Sequence, residues 1–340
     1  MNLGQATIKD IAKALNVSPS TVSRALKDYP GISEETRKKV KDLAEELNYR
    51  PNAVALSLRQ SKSFTLGVIV PEVVHFFFST VISGIEEGAL VNGYNVILCQ
   101  TNEQYEREVK MVDTMISSQI DGLLVSHSRE TKDFSHFKRL LDRNFPIVFF
   151  DRLPEIENTV SVIVDDFMGA YDAVAHLILQ GYRDVLHLAG PKNLKISEQR
   201  LSGYRKALQD AGLPVREDRI IPCPNGTLEE SQTHCSLLFS GTDRPDAVFA
   251  SNDMAAAGAI EALKALGISV PETVGVVGFS NWQFSSMIAP PMTTVAQPGF
   301  EMGSRAVSLL LQCIESGKYN PTTEVLPTAL IPRASSQRKK

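Results

Sequence analysis

From Phe64 onward, short apolar runs alternate with stretches of helical periodicity. LGVIV, NVILC, DGLLVS and PIVFF are each followed by a segment such as VISGIEEGALV, in which apolar residues recur at helical spacing. Runs that are apolar at every position are typical of strands buried on both faces, and such strands belong to parallel sheets covered by helices. The sequence therefore predicts a large body built of βαβ units.

The same alternation restarts at SVIV and continues through DVLHLA, DAVFA and VGVVGF. Because βα crossovers are right-handed, two successive units of this kind predict two doubly wound parallel sheets with a ligand cleft between them. The last strand and helix, in TTVAQPGFEMGSRAVSLLLQCIESG, do not complete the second unit. We expect them to return to the first unit.

Charge is distributed unevenly along the 340 residues. The first 63 residues hold 11 Lys and Arg against 7 Asp and Glu, whereas the remainder holds 24 against 32. A small basic head on a large acidic body is a hint of nucleic-acid binding confined to the N-terminus. The length is about twice that of a typical domain, and 43% of the residues are hydrophobic, which predicts a globular protein of two or three domains.

The sequence lacks the signatures of several classes of protein. The chain has no long uninterrupted apolar window and no basic start followed by an apolar stretch, so we expect a cytoplasmic protein. The four cysteines are scattered, without a Cys or His cluster at metal-ligand spacing, so we expect reduced thiols, no metal and no cofactor. The nucleophile elbow, HExxH, P-loop and dinucleotide-binding motifs are absent, which argues against an enzyme.

The N-terminal segment has the pattern of three short helices. Thr7 and Asp10 are spaced as a capping box ahead of the first helix. After a tight turn, Pro19 opens a second helix that runs to Leu26, and a third begins at Ser33. Two short helices joined by a tight turn can place the second one in the major groove of DNA.

Small polar residues and one arginine cover the second predicted helix. Arg24 can donate two hydrogen bonds to guanine, Ser20 can reach a base edge or a phosphate, and Thr21 and Ser23 are suited to phosphate oxygens. Each is alternatively an ordinary solvated side chain, so the interpretation depends on the surrounding pattern.

That pattern resembles the DNA-binding head of the lactose repressor (LacI/GalR) family. The resemblance is carried by IKDIAKALNVSPSTVSRAL, by ISEETRKKV, by the NYRPN junction and by the short predicted helix after it. It implies that Pro19, Ser20 and Arg24 lie at the major groove. The positions that it implies to hold phosphates are Ser23, Ser33, Thr36, Tyr49 and Asn52.

A short helix over roughly 53–59 follows, which Asn52 can cap. It would be marginal alone in water, because it has about two turns and no core of its own. The resemblance implies that two such hinge helices pack side by side in a homodimer, through residues that include Ala55 and Leu58. Leu58 would then wedge into the minor groove, with Arg59 near the DNA backbone. The alternative is a plain linker helix.

The body resembles periplasmic sugar-binding proteins, in which the chain crosses three times between two subdomains. We therefore expect a small all-α helix-turn-helix head over 1–50, a hinge helix and linker over 51–63, and an α/β periplasmic-binding-protein-like body over 64–340. The expected subdomains of that body are 64–162 with 293–322, and 163–292 with 323–340. The resemblance also implies a dimer surface on the helices beginning near Phe78 and Ser304.

Candidate effector-binding residues follow the carboxyl ends of predicted strands or match family positions that reach the ligand. They are His75, Phe77, Phe78, Ser126, Asp151, Arg152, Arg200, Asp253 and Trp282. Three alternatives stay open: the phenylalanines as core residues, Asp151 and Arg152 as a mutual salt bridge, and Asp253 as a helix cap. Trp282 supplies an aromatic plane suited to a sugar face.

These features predict a ligand-responsive transcriptional repressor that binds a pseudo-palindromic operator as a dimer. The expected effector is a sugar or sugar derivative, with a purine or a partner protein as the alternative and a solute-binding protein as a remote one. Thr227 and Ile196 depart from the family pattern, at positions that often bear an aromatic and a small polar residue. The ligand therefore cannot be copied from a relative.

Overall fold

The structure, a computed structural model, describes residues 6–49 and 62–338. The chain divides into two compact units, a head up to Phe64 and a body from Thr65. The expected hinge helix, with Asn52, Ala55, Leu58 and Arg59, lies outside the described residues.

Three short helices form the head. They are α1 (Ile8–Ala14), α2 (Pro19–Leu26) and α3 (Glu34–Glu46). A hydroxyl side chain caps each of them, since Thr7, Ser18 and Ser33 each accept a hydrogen bond from the backbone N–H three residues on. One small core that includes Ile11 and Val22 holds the helices together. The predicted helix-turn-helix head is confirmed.

The first sheet of the body has six strands, all parallel to their neighbours. The strands are β1 (Thr65–Val70), β2 (Asn95–Gln100), β3 (Gly122–Val125), β4 (Ile147–Phe150), β5 (Val160–Val164) and β11 (Thr322–Leu326). Their order in space is β11-β5-β4-β3-β1-β2. The helices around this sheet are α4 (Phe76–Val91), α5 (Tyr105–Ser117), α6 (Ser135–Leu141) and α11 (Gly299–Ser316).

The second sheet repeats this arrangement with one antiparallel edge strand. The strands are β6 (Val185–Ala189), β7 (Ile220–Pro222), β8 (Ala247–Ala250), β9 (Gly275–Phe279), β10 (Thr293–Ala296) and β12 (Ala329–Ile331). Their order is β12-β10-β9-β8-β6-β7, and β12 runs antiparallel to β10. The helices around this sheet are α7 (Asp166–Leu179), α8 (Lys195–Asp210), α9 (Leu228–Ser240) and α10 (Asp253–Ala265).

Both faces of each sheet are buried, which explains the uninterrupted apolar runs. In β1, Leu66 and Val68 belong to a core shared with α4 and α11, whereas Ile69 belongs to a separate core on the other face, with residues of α5 and α6. The prediction of two doubly wound parallel sheets is confirmed. None of the helices within 6–49 and 62–338 is long and apolar enough to cross a membrane.

The expected subdomain boundaries need correction near the C-terminus. Residues 293–296 form β10 and pair with β9 in the second sheet, although they were expected in the first. Residues 323–326 belong to β11 and pair with β5 in the first sheet, although they were expected in the second. Short strands such as TTVA carry no sequence signal for which open sheet edge they will join. The chain passes between the sheets three times, after β5, β10 and β11.

Candidate effector cleft and DNA-binding helix

A cavity of about 140 Å³ lies between the two sheets of the body, at the carboxyl ends of their strands. Loops after β1 to β4 form one wall, and loops after β6 to β9 together with α8 form the other. The predicted residues that line it are His75, Phe77, Phe78, Asp151, Arg152, Arg200 and Trp282. Ligands bind at this place in open α/β sheets.

Asp151 presents a buried carboxylate to this cavity. It directly follows β4 at a φ of 64°, a left-handed conformation that few non-glycine residues adopt. Within the described residues no hydrogen bond reaches the carboxylate, and Arg152 Nε lies 3.8 Å from Asp151 Oδ2. Burial raises the pKa of Asp151 to about 6, although the charges of Arg152 and Arg200 act to lower it. The acceptors of Asp151 are therefore available to ligand hydroxyl or amine groups.

The guanidinium of Arg152 is already neutralised by an acid that sequence analysis missed. Its Nη1 and Nη2 donate to the two carboxylate oxygens of Glu103 at 2.8 Å each, and Nη1 also donates to the His127 carbonyl. Burial acts to raise the pKa of Glu103, but the hydrogen bonds and charge of Arg152 outweigh it and the net pKa is lowered. The salt bridge proposed between Asp151 and Arg152 is thus a loose contact beside a bidentate pair with Glu103.

Arg200 is paired in the same way on the opposite wall. Its Nε and Nη2 contact Asp166 Oδ1 at 2.8 and 2.7 Å, and its Nη1 donates to the Ser251 carbonyl at 2.6 Å. The guanidinium carbon lies 3.8 Å from the centre of the Phe279 ring. Burial raises the pKa of Asp166 although Arg200 acts to lower it. Arg200 therefore offers the cavity a fixed, neutralised edge instead of a free positive charge.

Aromatic rings meet across the cavity. The His75 ring, at the start of α4, lies 5.2 Å from the Trp282 ring in an edge-to-face arrangement. Phe77 and Phe78 are both buried, and they belong to the first core while also lining the cavity. The two interpretations of these phenylalanines, core and cleft wall, therefore apply together.

Two predicted residues lie outside the cavity wall. Ser126 directly follows β3 and is fully buried, and its hydroxyl has no hydrogen-bond partner within the described residues. Asp253 opens α10 with its side chain turned inward, where Oδ1 accepts from Thr294 Oγ1 and Oδ2 from the backbone N–H of Trp282, both at 2.6 Å. Asn252, not Asp253, is the cap of α10. Asp253 thus acts on the cleft through Trp282.

Other residues that line the cavity also follow the carboxyl ends of predicted strands, as Asp151 does. Glu103 follows β2, Pro191 follows β6 and Asn225 follows β7, all at carboxyl ends of strands that the apolar runs predict. Arg129 also lines the cavity, three residues beyond Ser126. Of the loop after β3, only its first polar residue, Ser126, was predicted to bind the effector.

The two residues that depart from the family pattern, Ile196 and Thr227, lie in different parts of the second subdomain. Ile196 lines the cavity and contributes an apolar side chain to its wall. Thr227 is the cap of α9, where its hydroxyl accepts from the Glu230 backbone N–H at 3.2 Å. A helix cap thus occupies the position at which a stacking aromatic was expected.

In the head, α2 exposes the residues proposed to meet bases. Pro19, Ser20 and Arg24 are exposed, while Thr21 and Ser23 are half-buried. The Ser18 hydroxyl, which caps α2, lies 2.7 Å from the Ser20 hydroxyl. No salt bridge holds Arg24 within the part of the chain described, so its guanidinium is available to an acceptor.

The residues proposed to meet phosphates lie elsewhere in the head. Ser33 caps α3, and its hydroxyl is 2.8 Å from that of Thr36. Tyr49 is half-buried and packs against the head core. The start of α3 therefore presents two adjacent hydroxyl groups that can donate to a phosphate, beside the acidic Glu34 and Glu35 of the first turn.

Two family models match the chain, one for each compact unit. The model described as bacterial regulatory proteins, lacI family, matches residues 7–52. The model described as a periplasmic binding protein-like domain matches residues 174–336.

Individual relatives match over nearly the whole length. The HTH-type transcriptional repressor CytR of Escherichia coli (strain K12) is 34% identical over 334 residues, covering 98% of this chain and 96% of that protein. The crystal structure of the lac repressor dimer bound to operator and the anti-inducer ONPF matches with a TM-score of 0.88 at 25% identity, covering 98% of this chain and all of that one. The transcriptional regulator CelR in complex with cellobiose matches with a TM-score of 0.74 at 28% identity, covering 97% and 99%.

Proposed function

Because this chain belongs to the lacI family of bacterial regulatory proteins, we propose specific roles for its cleft, its head and its dimer surface. The chain is a ligand-responsive DNA-binding repressor with an effector-binding body. The main support for the proposal is one observation. Seven residues, each predicted from its own place in the sequence, line a single cavity between the subdomains. At the family level its role is regulatory, and we assign no catalysis to the cleft.

We propose a neutral sugar or sugar derivative as the effector. Arg152 and Arg200 are each neutralised by a carboxylate, so neither offers a free charge to a phosphate. Arg129, which also lines the cavity, has no salt bridge among the described residues, but its Nη1 donates to the Pro224 carbonyl. Asp151 offers unused acceptors, which suit hydroxyl groups, and Trp282 offers an aromatic ring. The cellobiose complex of the relative CelR supports a carbohydrate. A purine or a partner protein as the controlling molecule remains the alternative.

We propose that the repressor acts on chromosomal DNA in the cytoplasm, as a homodimer with two heads on a two-fold symmetric operator. The lac repressor relative is a dimer on its operator. The α4 end of the body supports a self-association surface, because Leu90 and Val91 are 72% and 76% exposed and β2 is an edge strand with exposed Ile97 and Leu98.

In the head, we propose that Ser20 and Arg24, together with the neighbouring Pro19, lie against the bases. Thr21 and Ser23 contact phosphates. Further phosphate contacts are proposed for Ser33, Thr36, Tyr49 and Asn52. We also propose that a hinge helix with Ala55, Leu58 and Arg59 enters the minor groove. Leu58→Ala should then weaken specific operator binding more than non-specific binding, and equal losses would remove the wedge role.

Selection of bound sequences from random duplexes tests the head and the cleft together. Purified full-length protein is used alone and with neutral mono- and disaccharides, hexose phosphates, nucleosides and purine bases. We expect a two-fold symmetric site whose recovery changes with a neutral sugar. A response to purines alone would replace the sugar proposal, a site that no compound affects would favour a partner protein, and the absence of any site would contradict the proposed operator binding.

A further inference from the structure

Arg129 reaches across the cleft from the first subdomain to the second. Its Nη1 donates to the Pro224 carbonyl oxygen at 2.6 Å, and its own carbonyl accepts from Asn193 Nδ2. Asn193 lies in the loop after β6, and Pro224 lies in the loop after β7. A single residue thus joins one subdomain to two different loops of the other.

The charge of Arg129 is not neutralised like the charges of its neighbours. Arg152 is paired with Glu103 and Arg200 with Asp166, but Arg129 has no salt bridge within the residues described. Its bond to Pro224 is therefore charge-assisted, from a cation to a neutral carbonyl. A guanidinium has five N–H donors, and only one of those of Arg129 has a partner in the described structure.

The backbone that carries Arg129 is held firmly. The Arg129 N–H donates to Glu103 Oε2 at 2.6 Å. On its two sides, the Ser128 N–H donates to Glu108 Oε2 at 2.5 Å and the Thr131 hydroxyl donates to Glu108 Oε1 at 2.8 Å. Glu108 is fully buried. The loop is thus fixed before it contacts the second subdomain, and little additional ordering is needed when the contact forms.

We propose that Arg129 is a latch, a positioning residue that stabilises the closed cleft and adds a donor to the effector site. Its two cross-cleft hydrogen bonds exist only while the subdomains are close together, so they favour the closed state whatever ligand is present. Arg129 therefore influences the balance between the closed and open forms, on which an effector acts in turn. The proposal does not depend on the identity of the effector.

Trp282 provides a reporter of opening that needs no ligand. It is the only tryptophan, and its ring contacts that of His75 across the cleft. Acrylamide quenching of its fluorescence, measured on the full chain, follows its exposure. Removing a charge-assisted hydrogen bond should lower the closed-to-open ratio by about tenfold. We therefore expect Arg129→Ala to increase quenching, Asn193→Ala to increase it less, and Arg129→Lys to restore part of the wild-type protection.

Lys138→Ala is the matched control, because Lys138 is an exposed cation on α6 in the same subdomain and lines neither the cavity nor the adjoining pocket between the subdomains. If Arg129→Ala is poorly folded, the Arg129→Lys and Asn193→Ala results decide the matter. If quenching in all the cleft variants equals that in Lys138→Ala, the latch proposal is overturned. Operator selection is a separate measurement, so a failure of the proposed repressor role would be distinguishable from a failure of the latch.

Discussion

The carboxylate of Asp253 accepts the backbone N–H of Trp282 at 2.6 Å, and this hydrogen bond fixes the loop after β9 against the start of α10. Trp282 is thereby held at the cleft by a residue that does not line it. The family resemblance predicts that Asp253 contacts the effector, whereas in the structure its carboxylate holds the backbone of Trp282, which lines the cavity.

Asp253→Ala should release this loop. The variant leaves the Trp282 N–H without its partner, so we expect faster amide exchange at Trp282 and a free energy of unfolding lower by about 2 kcal/mol. Ser280→Ala is the control, because it removes a side-chain hydrogen bond of the same loop, to Gln297 Oε1, and leaves the one between Asp253 and Trp282 in place. Equal amide exchange at Trp282 in the two variants would contradict the positioning role.

Asp151 should make the stability of the body depend on pH. Burial raises its pKa from 3.8 to about 6, with smaller additions from Asp166 and Glu103 and against the opposing charges of Arg152 and Arg200. The folded state therefore binds the proton more tightly than the unfolded state. Its favourable contribution is complete below pH about 4 and is lost as the pH rises through about 6, a change of about 3 kcal/mol.

Urea unfolding of wild type and Asp151→Asn between pH 4 and 7.5 measures this contribution. Wild type should lose stability relative to the variant as the pH rises, and the difference should level off above pH about 7. A difference that does not change with pH would show that the carboxyl group titrates alike in the folded and unfolded states.

Helices α4 and α11 approach closely at Gly84. A Cβ added there would lie 2.0 Å from the Phe300 carbonyl oxygen, which is backbone and cannot move without the helix. Gly84→Ala should therefore destabilise the body by about 2 kcal/mol or more. At Gly88, one turn further on, the added Cβ would meet the Val307 side chain at 3.3 Å, so Gly88→Ala should have a small effect. Thermal unfolding measures the stability of both variants. Similar losses of stability in the two would argue against close backbone packing at Gly84.

The exposed end of α4 should matter for self-association. Leu90→Glu and Val91→Glu place charges at the surface proposed for the dimer, so sedimentation should show a shift toward monomer. Leu179→Glu is the control, because Leu179 is 83% exposed on α7, in the other subdomain. A dimer that persists in both α4 variants would place the interface elsewhere.

Arg24 should contribute to sequence discrimination by the head. Arg24→Ala removes a donor suited to guanine, and we expect operator affinity to fall by roughly ten- to a hundredfold, with relaxed specificity at one base pair. Lys27, exposed just after α2, provides the control, because Lys27→Ala should affect specific and non-specific duplexes alike. Competition binding at fixed salt measures both.

The sequence predicted the elements better than it predicted the pairing of their side chains. Apolar runs and helix caps identified the head and both sheets, because these depend on periodicity and on residues close together in sequence. Glu103 and Arg152 are 49 residues apart, and nothing in either segment indicates that they pair. The position of β10 likewise depends on which sheet edge is open, which is a property of the assembled fold.

The three passages of the chain between the subdomains also determine the order in which the protein can fold during synthesis. The first sheet lacks its covering helix α11 until residue 316 has been made and its edge strand β11 until residue 326. By then, eleven of the twelve strands in the described part of the chain have been synthesised. The apolar face of α4 therefore waits for a helix more than 200 residues downstream. Such long-range closure slows folding and leaves apolar surface exposed on the ribosome-bound chain, so truncation shortly before α11 should yield an aggregation-prone product.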